Sequence, residues 1–323
     1  MDRLTYCGAL ALMALACQIP QTARAQAYPV KPVRVLVGFT AGGATDLSAR
    51  FLAQKLSETI GQQVIVEDRP GAGSMLAAEA VAHSAPDGYT MLVANVTISM
   101  PSMFKKLSFD VRRDLAPVSL VGFGQVALIV HPSLPVKSVK ELVALATRKP
   151  GMLNYGSAGT GSFTHLAMAL FESLANVDMV HVPYKGSTQA SIGVMTGEAQ
   201  LLFSSPAAVL GQIKTGRLRA IAVSGTTRSA IVPDVPTMDE AGVKGYNATS
   251  WYGMLAPTGT PRAAISKLSE ESIKALGAAD FKERLLAQGI DPAKGGVEEF
   301  AAVLNSEIPK WEKVIKAAKI PPQ

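Results

Sequence analysis

Residues 33–46 read VRVLVGFTAGGATD, and this stretch decides the fold. Val33 to Phe39 is an almost unbroken apolar run, the pattern of a parallel strand covered on both faces. It breaks at Gly42 and Gly43. A helix then follows, with Leu47, Phe51, Leu52, Leu56 and Ile60 on its apolar side and Gly61 as its stop. A strand passing through a glycine-rich turn into a helix is the start of a βαβ unit, and the chain repeats that unit.

Gln63 to Glu67 reads as a second strand, the turn at 69–73 opens a helix to about Ser84, and Thr90 to Asn95 reads as a third strand. A β-rich stretch from Pro117 to His131 leads into a second series. Ser138 and Glu141 form a capping box for a helix ending near Gly151. Strands are expected over Leu153 to Tyr155, Met179 to Val182, Ala199 to Phe203 and Arg219 to Val223. Helices follow the turns at 156–162 and 183–188, and another runs from Pro206 to Thr215. A short capped helix is expected at Thr237 to Ala241 and a strand at Ser250 to Ala256. The rest is helical, beginning with a helix capped by Thr260 with Pro261 in its first position.

Alternating strands and helices imply parallel sheets with helices on both faces. Two such series imply two α/β lobes with a ligand cleft between them. The C-terminal helices need a sheet to cover, and the first series supplies only about three strands of its own. The expected organisation is therefore lobe I over residues 28–124, lobe II over 125–249, and a return to lobe I over 250–323. Ligands of open parallel sheets bind beyond the carboxyl ends of the strands, which places the site in the cleft.

Residues 1–27 read as a cleavable export signal: Arg3, an apolar run from Leu4 to Ala16, and small residues at Ala23, Ala25 and Ala27. That run is shorter than the roughly 20 residues that span a bilayer. Cleavage after Ala25 and lipidation at Cys17 are the alternatives to cleavage after Ala27. Both cysteines, Cys7 and Cys17, lie in this segment, so the exported chain, of about 300 residues, has no disulfide, thiolate nucleophile or cysteine metal site. The net charge of +6 is modest and its basic residues are dispersed, which argues against nucleic acid and allows an anionic ligand.

Three strand-to-helix turns carry the functional signal. Each places Gly, Ser or Thr at a helix N-terminus, where unpaired N–H groups and the helix dipole favour an anion. The candidates are Phe39, Thr40, Gly42, Gly43, Thr45 and Asp46 in the first turn, Ser157, Thr160, Gly161 and Ser162 in the second, and Lys185 and Ser187 in the third. Ordinary capping explains any one such turn; three together favour a carboxylate site. Enzyme signatures are absent. The turn at 156–161 is neither G-x-G-x-x-G nor a P-loop, no G-x-S-x-G exists, and the four histidines lack metal-binding spacing, so no catalytic residue, metal or cofactor is expected. An exported hydrolase using His165 or Asp46 is the competing reading. Trp251 and Tyr252, at the expected return crossing, suit either ligand stacking or hinge packing.

The ordered segments at 28–32, 39–46, 69–73, 86–90, 153–162, 181–186, 218–223, 233–237 and 256–261 resemble the substrate-binding proteins of tripartite tricarboxylate transporters, also called Bug receptors, over the whole exported chain. The resemblance implies a type II periplasmic-binding-protein fold that closes on a small organic acid and delivers it to membrane permease subunits; the expected protein is a periplasmic receptor, monomeric in solution. It also implies that the loop 39–46 grips a ligand carboxylate, partly through water, and that 157–162 closes on it. A ligand sensor for a signalling partner is a related possibility. Gly38 stands where the family often has proline, and Gly193 where an acidic residue is common, so the particular acid does not follow.

Overall fold

The computed structural model describes residues 28–322; the expected export signal, with Cys7 and Cys17, lies outside the described residues. The chain begins with β1 (Val33–Val37), α1 (Ala44–Thr59), β2 (Val64–Asp68), α2 (Met75–Ala82), β3 (Thr90–Asn95), the one-turn α3 (Val111–Asp114) and β4 (Leu115–Gln125). It continues through β5 (Ala127–Val130), α4 (Val139–Arg148), β6 (Asn154–Ser157), α5 (Phe163–Ala175), β7 (Val180–Pro183), α6 (Ser187–Met195), β8 (Leu201–Ser204), α7 (Pro206–Lys214) and β9 (Arg219–Val223). It closes with β10 (Thr249–Pro257), α8 (Arg262–Gly277), α9 (Ala279–Ala287), β11 (Ile290–Pro292) and α10 (Val297–Ala317).

The strands form two sheets. Six stand in the order β11-β4-β10-β3-β1-β2 and five in the order β7-β6-β8-β5-β9. Each sheet with its helices is one lobe. β1 has both faces covered: Leu36 packs in one apolar cluster with Met75 and Ala78, while Val35 and Val37 pack in another with Leu52 and Leu56. That double burial explains the unbroken apolar run, because neither face of the strand meets water.

The sheets are mixed rather than purely parallel. β1 is parallel to β2 and β3, and β6 to β7 and β8. β10, however, runs antiparallel to β3 and β4, and β5 antiparallel to β8 and β9. The cause is the connection between lobes. The chain leaves the six-stranded sheet along β4 and returns along its neighbour β10, so the two must run in opposite directions. Gln125 pairs with Thr249 and Gly124 with Ser250 at this crossing.

Ser224 clasps both passages. Its Oγ accepts from Val126 N–H at 3.0 Å and donates to the Ala248 carbonyl at 2.6 Å; its backbone N–H and carbonyl bond the same two residues. The first sheet is thus larger than its own βαβ units supply, because β4, β10 and the short β11 complete it. Three residues carry no readable periodicity, which is why β11 was not expected.

Two local readings change. Thr237 and Glu240 do exchange capping-box bonds, Thr237 N–H to Glu240 Oε2 at 2.9 Å and Glu240 N–H to Thr237 Oγ1 at 3.1 Å. They close a turn and no helix propagates from it, since Gly242 and Gly245 follow with positive φ. Thr260 does not cap α8: its hydroxyl donates to the Pro257 carbonyl, and Pro261 takes the cap position. At Ser138 the cap is as read, with Glu141 N–H donating to Ser138 Oγ at 3.2 Å.

Gly38 leads β1 into the first loop and lies directly against residue 74. A Cβ added to it would stand 2.3 Å from Ser74 Cα, a contact with backbone that no rotamer change relieves. Gly38→Ala is expected to lower stability by about 1–3 kcal/mol, the usual cost of overpacking. A denaturant midpoint unchanged from the parent would show that the two loops are not held this closely.

Candidate functional site

Between the two sheets lies a cavity of about 450 Å³ with walls from both lobes. Six strands deliver their carboxyl ends to it, β4 among them at Gln125. β1 leads to Phe39, β3 ends at Asn95 and leads to Thr97, β6 leads to Ala158 and the turn after it, β7 leads to Ser187, and β8 leads to Ser205. Four helices start on it: α1 at Ala44, α5 at Phe163, α6 at Ser187, and α7 just after Ser205. Every helix of this length leaves its first N–H groups without intrahelical partners and carries partial positive charge at that end.

The lining contains no Asp, Glu, Lys, Arg or His. Its polar groups are neutral, and the rings of Phe39, Phe104, Phe163 and Tyr252 supply apolar surface. Burial pushes the Tyr252 phenol up, so it too stays uncharged. An anion here meets oriented dipoles rather than a counter-ion. Equally, the cavity wall offers no carboxylate, imidazole, amine or thiol for general acid–base or nucleophilic work.

The residues singled out from the sequence divide by role. Phe39, Thr160, Gly161, Ser162 and Ser187 line the cavity. Thr40, Gly42 and Gly43 form the exposed tip of the first loop. Thr45, Asp46 and Ser157 are buried behind the wall. Lys185 is exposed and borders a separate depression with Tyr184 and Glu198, so it does not join the others.

The buried residues shape the loops. Asp46 sits inside the first turn of α1, whose cap is Gly43. Its Oδ2 accepts from Gly42 N–H at 2.7 Å and its Oδ1 pairs with Arg50 Nε at 2.6 Å. Arg50 continues to Asp68 at 2.8 Å, and burial together with the neighbouring Asp46 pushes the Asp68 carboxyl up. Gly42 has φ of 85°, which a side chain would strain, whereas Gly43 has φ of −76° and room for a Cβ. Thr45 Oγ1 accepts from Asn95 Nδ2 at 3.0 Å, which ties the first loop to the end of β3.

The second loop is bonded mostly to itself. Ala158 N–H donates to Thr164 Oγ1, Gly159 N–H to Ser157 Oγ, and His165 N–H to Ser162 Oγ. Gly161 N–H donates to His165 Nδ1 at 3.0 Å, so that amide serves the loop's shape. His165 is 7% exposed and stands behind the wall, out of reach of the cavity as a base. Burial first, then His181, lowers it to about 4.

Several wall residues were not anticipated. Asn95 and Ser205 sit at carboxyl ends of strands, the signal that found the turns, and that rule extended to every strand would have named them. Gln125 stands at the crossing, 8% exposed, with its Oε1 unpartnered among the described residues. Phe104 and the pair Gln288 and Gly289 come from irregular segments and had no local signal. Of the aromatic pair at the return, Tyr252 lines the cavity, while Trp251 is fully buried edge-on to Phe300.

Glu172, on the same helix as His165, is half-buried with Oε1 accepting from Met179 N–H at 2.8 Å. Burial raises it to about 7, so the folded chain keeps a proton that the unfolded chain releases near 4.5. Its favourable contribution is therefore present below pH 4.5 and lost as pH rises to 7. Glu172→Gln is expected to be more stable than the parent at pH 8, by about 1–3 kcal/mol, with no gain at pH 4. Melting curves at the two pH values decide it; an equal shift at both would contradict the buried-proton account.

Residues 48–320 match the model of the tripartite tricarboxylate transporter family receptor. BugT of Bordetella pertussis is 34% identical over 295 residues, spanning 90% of this chain and 90% of the relative. An R. palustris protein solved with adipate superposes with a TM-score of 0.79 at 33% identity, covering 92% of this chain and 100% of that one. MatC from Rhodopseudomonas palustris, solved with bound malate, gives 0.75 at 32% identity, covering 89% and 100%.

Proposed function

Because this chain belongs to the tripartite tricarboxylate transporter receptor family, a family of periplasmic solute receptors rather than enzymes, we propose that it captures a small organic carboxylate in the interlobe cavity and passes it to the permease subunits of such a transporter. The observation that carries this reading is the wall itself: four helix N-termini converge on about 450 Å³ with no ionisable side chain but a tyrosine. A carboxylate suits that wall, since backbone N–H groups and hydroxyls solvate an anion without desolvating a fixed charge. The solved relatives with adipate and malate support the ligand class.

In this reading Phe39 and the start of α1 hold one side of the acid, and Thr160, Ser162 and the start of α5 hold the other. Ser187 and Ser205 extend the second-lobe contact, and the aromatic rings cover the ligand's carbon body. Residues 28–124 and 250–323 move as one lobe and 125–249 as the other, hinged where Gln125 pairs with Thr249. The ligand favours the closed form because only that form brings both sets of donors to it.

Calorimetry of the exported chain with a panel of aliphatic and aromatic acids tests the proposal. At least one acid is expected to bind, and its primary amide to bind roughly 100-fold more weakly, the scale of charge-assisted hydrogen bonds lost. Because no countercharge is involved, affinity should change less than about twofold between 0.05 and 0.5 M salt. A panel with no binder, or an amide that binds as well as its acid, would sink the reading.

A further inference from the structure

Behind the second loop, on the side away from the cavity, two imidazoles lie face to face. His165 on α5 and His181 on β7 have ring centroids 3.8 Å apart with planes inclined by 9°, and Tyr155 of β6 stacks on His181 at 5.0 Å. The pair grips the loop at both ends. His165 Nδ1 accepts from Gly161 N–H at 3.0 Å, and His181 Nε2 bonds Ser157 Oγ at 2.6 Å. Neither ring lines the cavity. Tyr155 also reaches towards Glu172, itself near Asp178; of these groups His181 is the one whose charge bears on His165.

We propose that His165 and His181 are positioning residues that hold the second ligand loop in its binding shape as neutral imidazoles, and that their protonation in acid releases the loop and weakens carboxylate capture. The chemistry follows from the bond to Gly161. An N–H donor requires a lone pair on Nδ1, so His165 carries its proton on Nε2. A second proton can go only to Nδ1, where it removes the acceptor and sets two donors against each other. Stacking at 3.8 Å adds the repulsion of like charges if both rings ionise. Burial lowers both histidines, which keeps the device neutral at ordinary pH. The cavity wall holds no group that titrates in this range, so the protein's own acid response in binding comes from behind the wall, where Glu172 and Asp68 are both pushed up and, of these groups, the two histidines alone bond the second loop. This inference rests on the carboxylate-receptor reading for the meaning of the loop.

The test compares the parent with His165→Asn and His165→Leu by calorimetry between pH 7.5 and 3.5, using an acid that the parent binds. Asn keeps an acceptor near the Nδ1 position and cannot ionise; Leu has neither property. His165→Leu should lose about tenfold in affinity at pH 7.5, the size of one lost hydrogen bond, and His165→Asn should restore most of it. The ratio of parent to Asn affinity should fall in acid, halving near pH 4 where His165 titrates; the ratio cancels the ligand's own protonation. In the parent, NMR titration should show the Gly161 amide following His165, and ligand should shift that titration to lower pH. A ratio flat with pH, or a His165 titration that ligand does not move, overturns the inference and leaves the receptor reading standing. Failure of every acid to bind the parent at pH 7.5 overturns the receptor reading and this inference with it.

Discussion

The antiparallel pairing of β4 with β10 is the constraint on which the rest of the structure depends. It makes the outgoing and returning passages one two-stranded connection, with Gln125 beside Thr249 and Ser224 bonded to Val126 and Ala248. A single covalent crossing would leave the lobes free to twist. Two adjacent crossings, hydrogen-bonded to each other, resist that twist. The same pairing places Gln125, Ser250 and Tyr252 on the wall of the cavity, so the crossing and the cavity share residues.

From that constraint the two walls follow. Parallel βαβ units put helix N-termini beyond the carboxyl ends of the strands, and the crossing turns two such edges towards each other. The loops are then shaped from behind by buried polar groups: Asp46 and Thr45 with Asn95 on one side, His165 and His181 with Ser157 on the other. In this way charged and titratable side chains set the geometry of the wall without being part of it.

Much of this was legible in the chain. The run 33–37 showed a strand buried on both faces, and the glycine turns after it and after Tyr155 showed where helices begin. The returning C-terminal helices implied that the first sheet is completed by strands distant in sequence. What escaped has physical reasons. A three-residue edge strand has no period, Phe104 and Gln288 reach the cavity through irregular backbone, and Lys185 looked like a ligand cation because sequence order says nothing of which way an exposed loop points. His165 was read as a possible base; that it serves Gly161 depends on a tertiary turn, and that it stacks on His181 depends on the parallel pairing of β6 with β7.

The uncharged wall has a consequence for how such a receptor diversifies. Where recognition depends on a buried countercharge, a new ligand demands a matching change of charge, and the intermediate carries an unpaired ion. In the proposed reading the anion-binding element is backbone, common to any sequence that keeps the turns, and the side chains facing the ligand's body are neutral rings, amides and hydroxyls. A single replacement at Phe39, Phe104 or Tyr252 alters the shape of the chamber and leaves its electrostatics intact. Lineages built on this scaffold can therefore move between acids by small steps, each of them a working receptor.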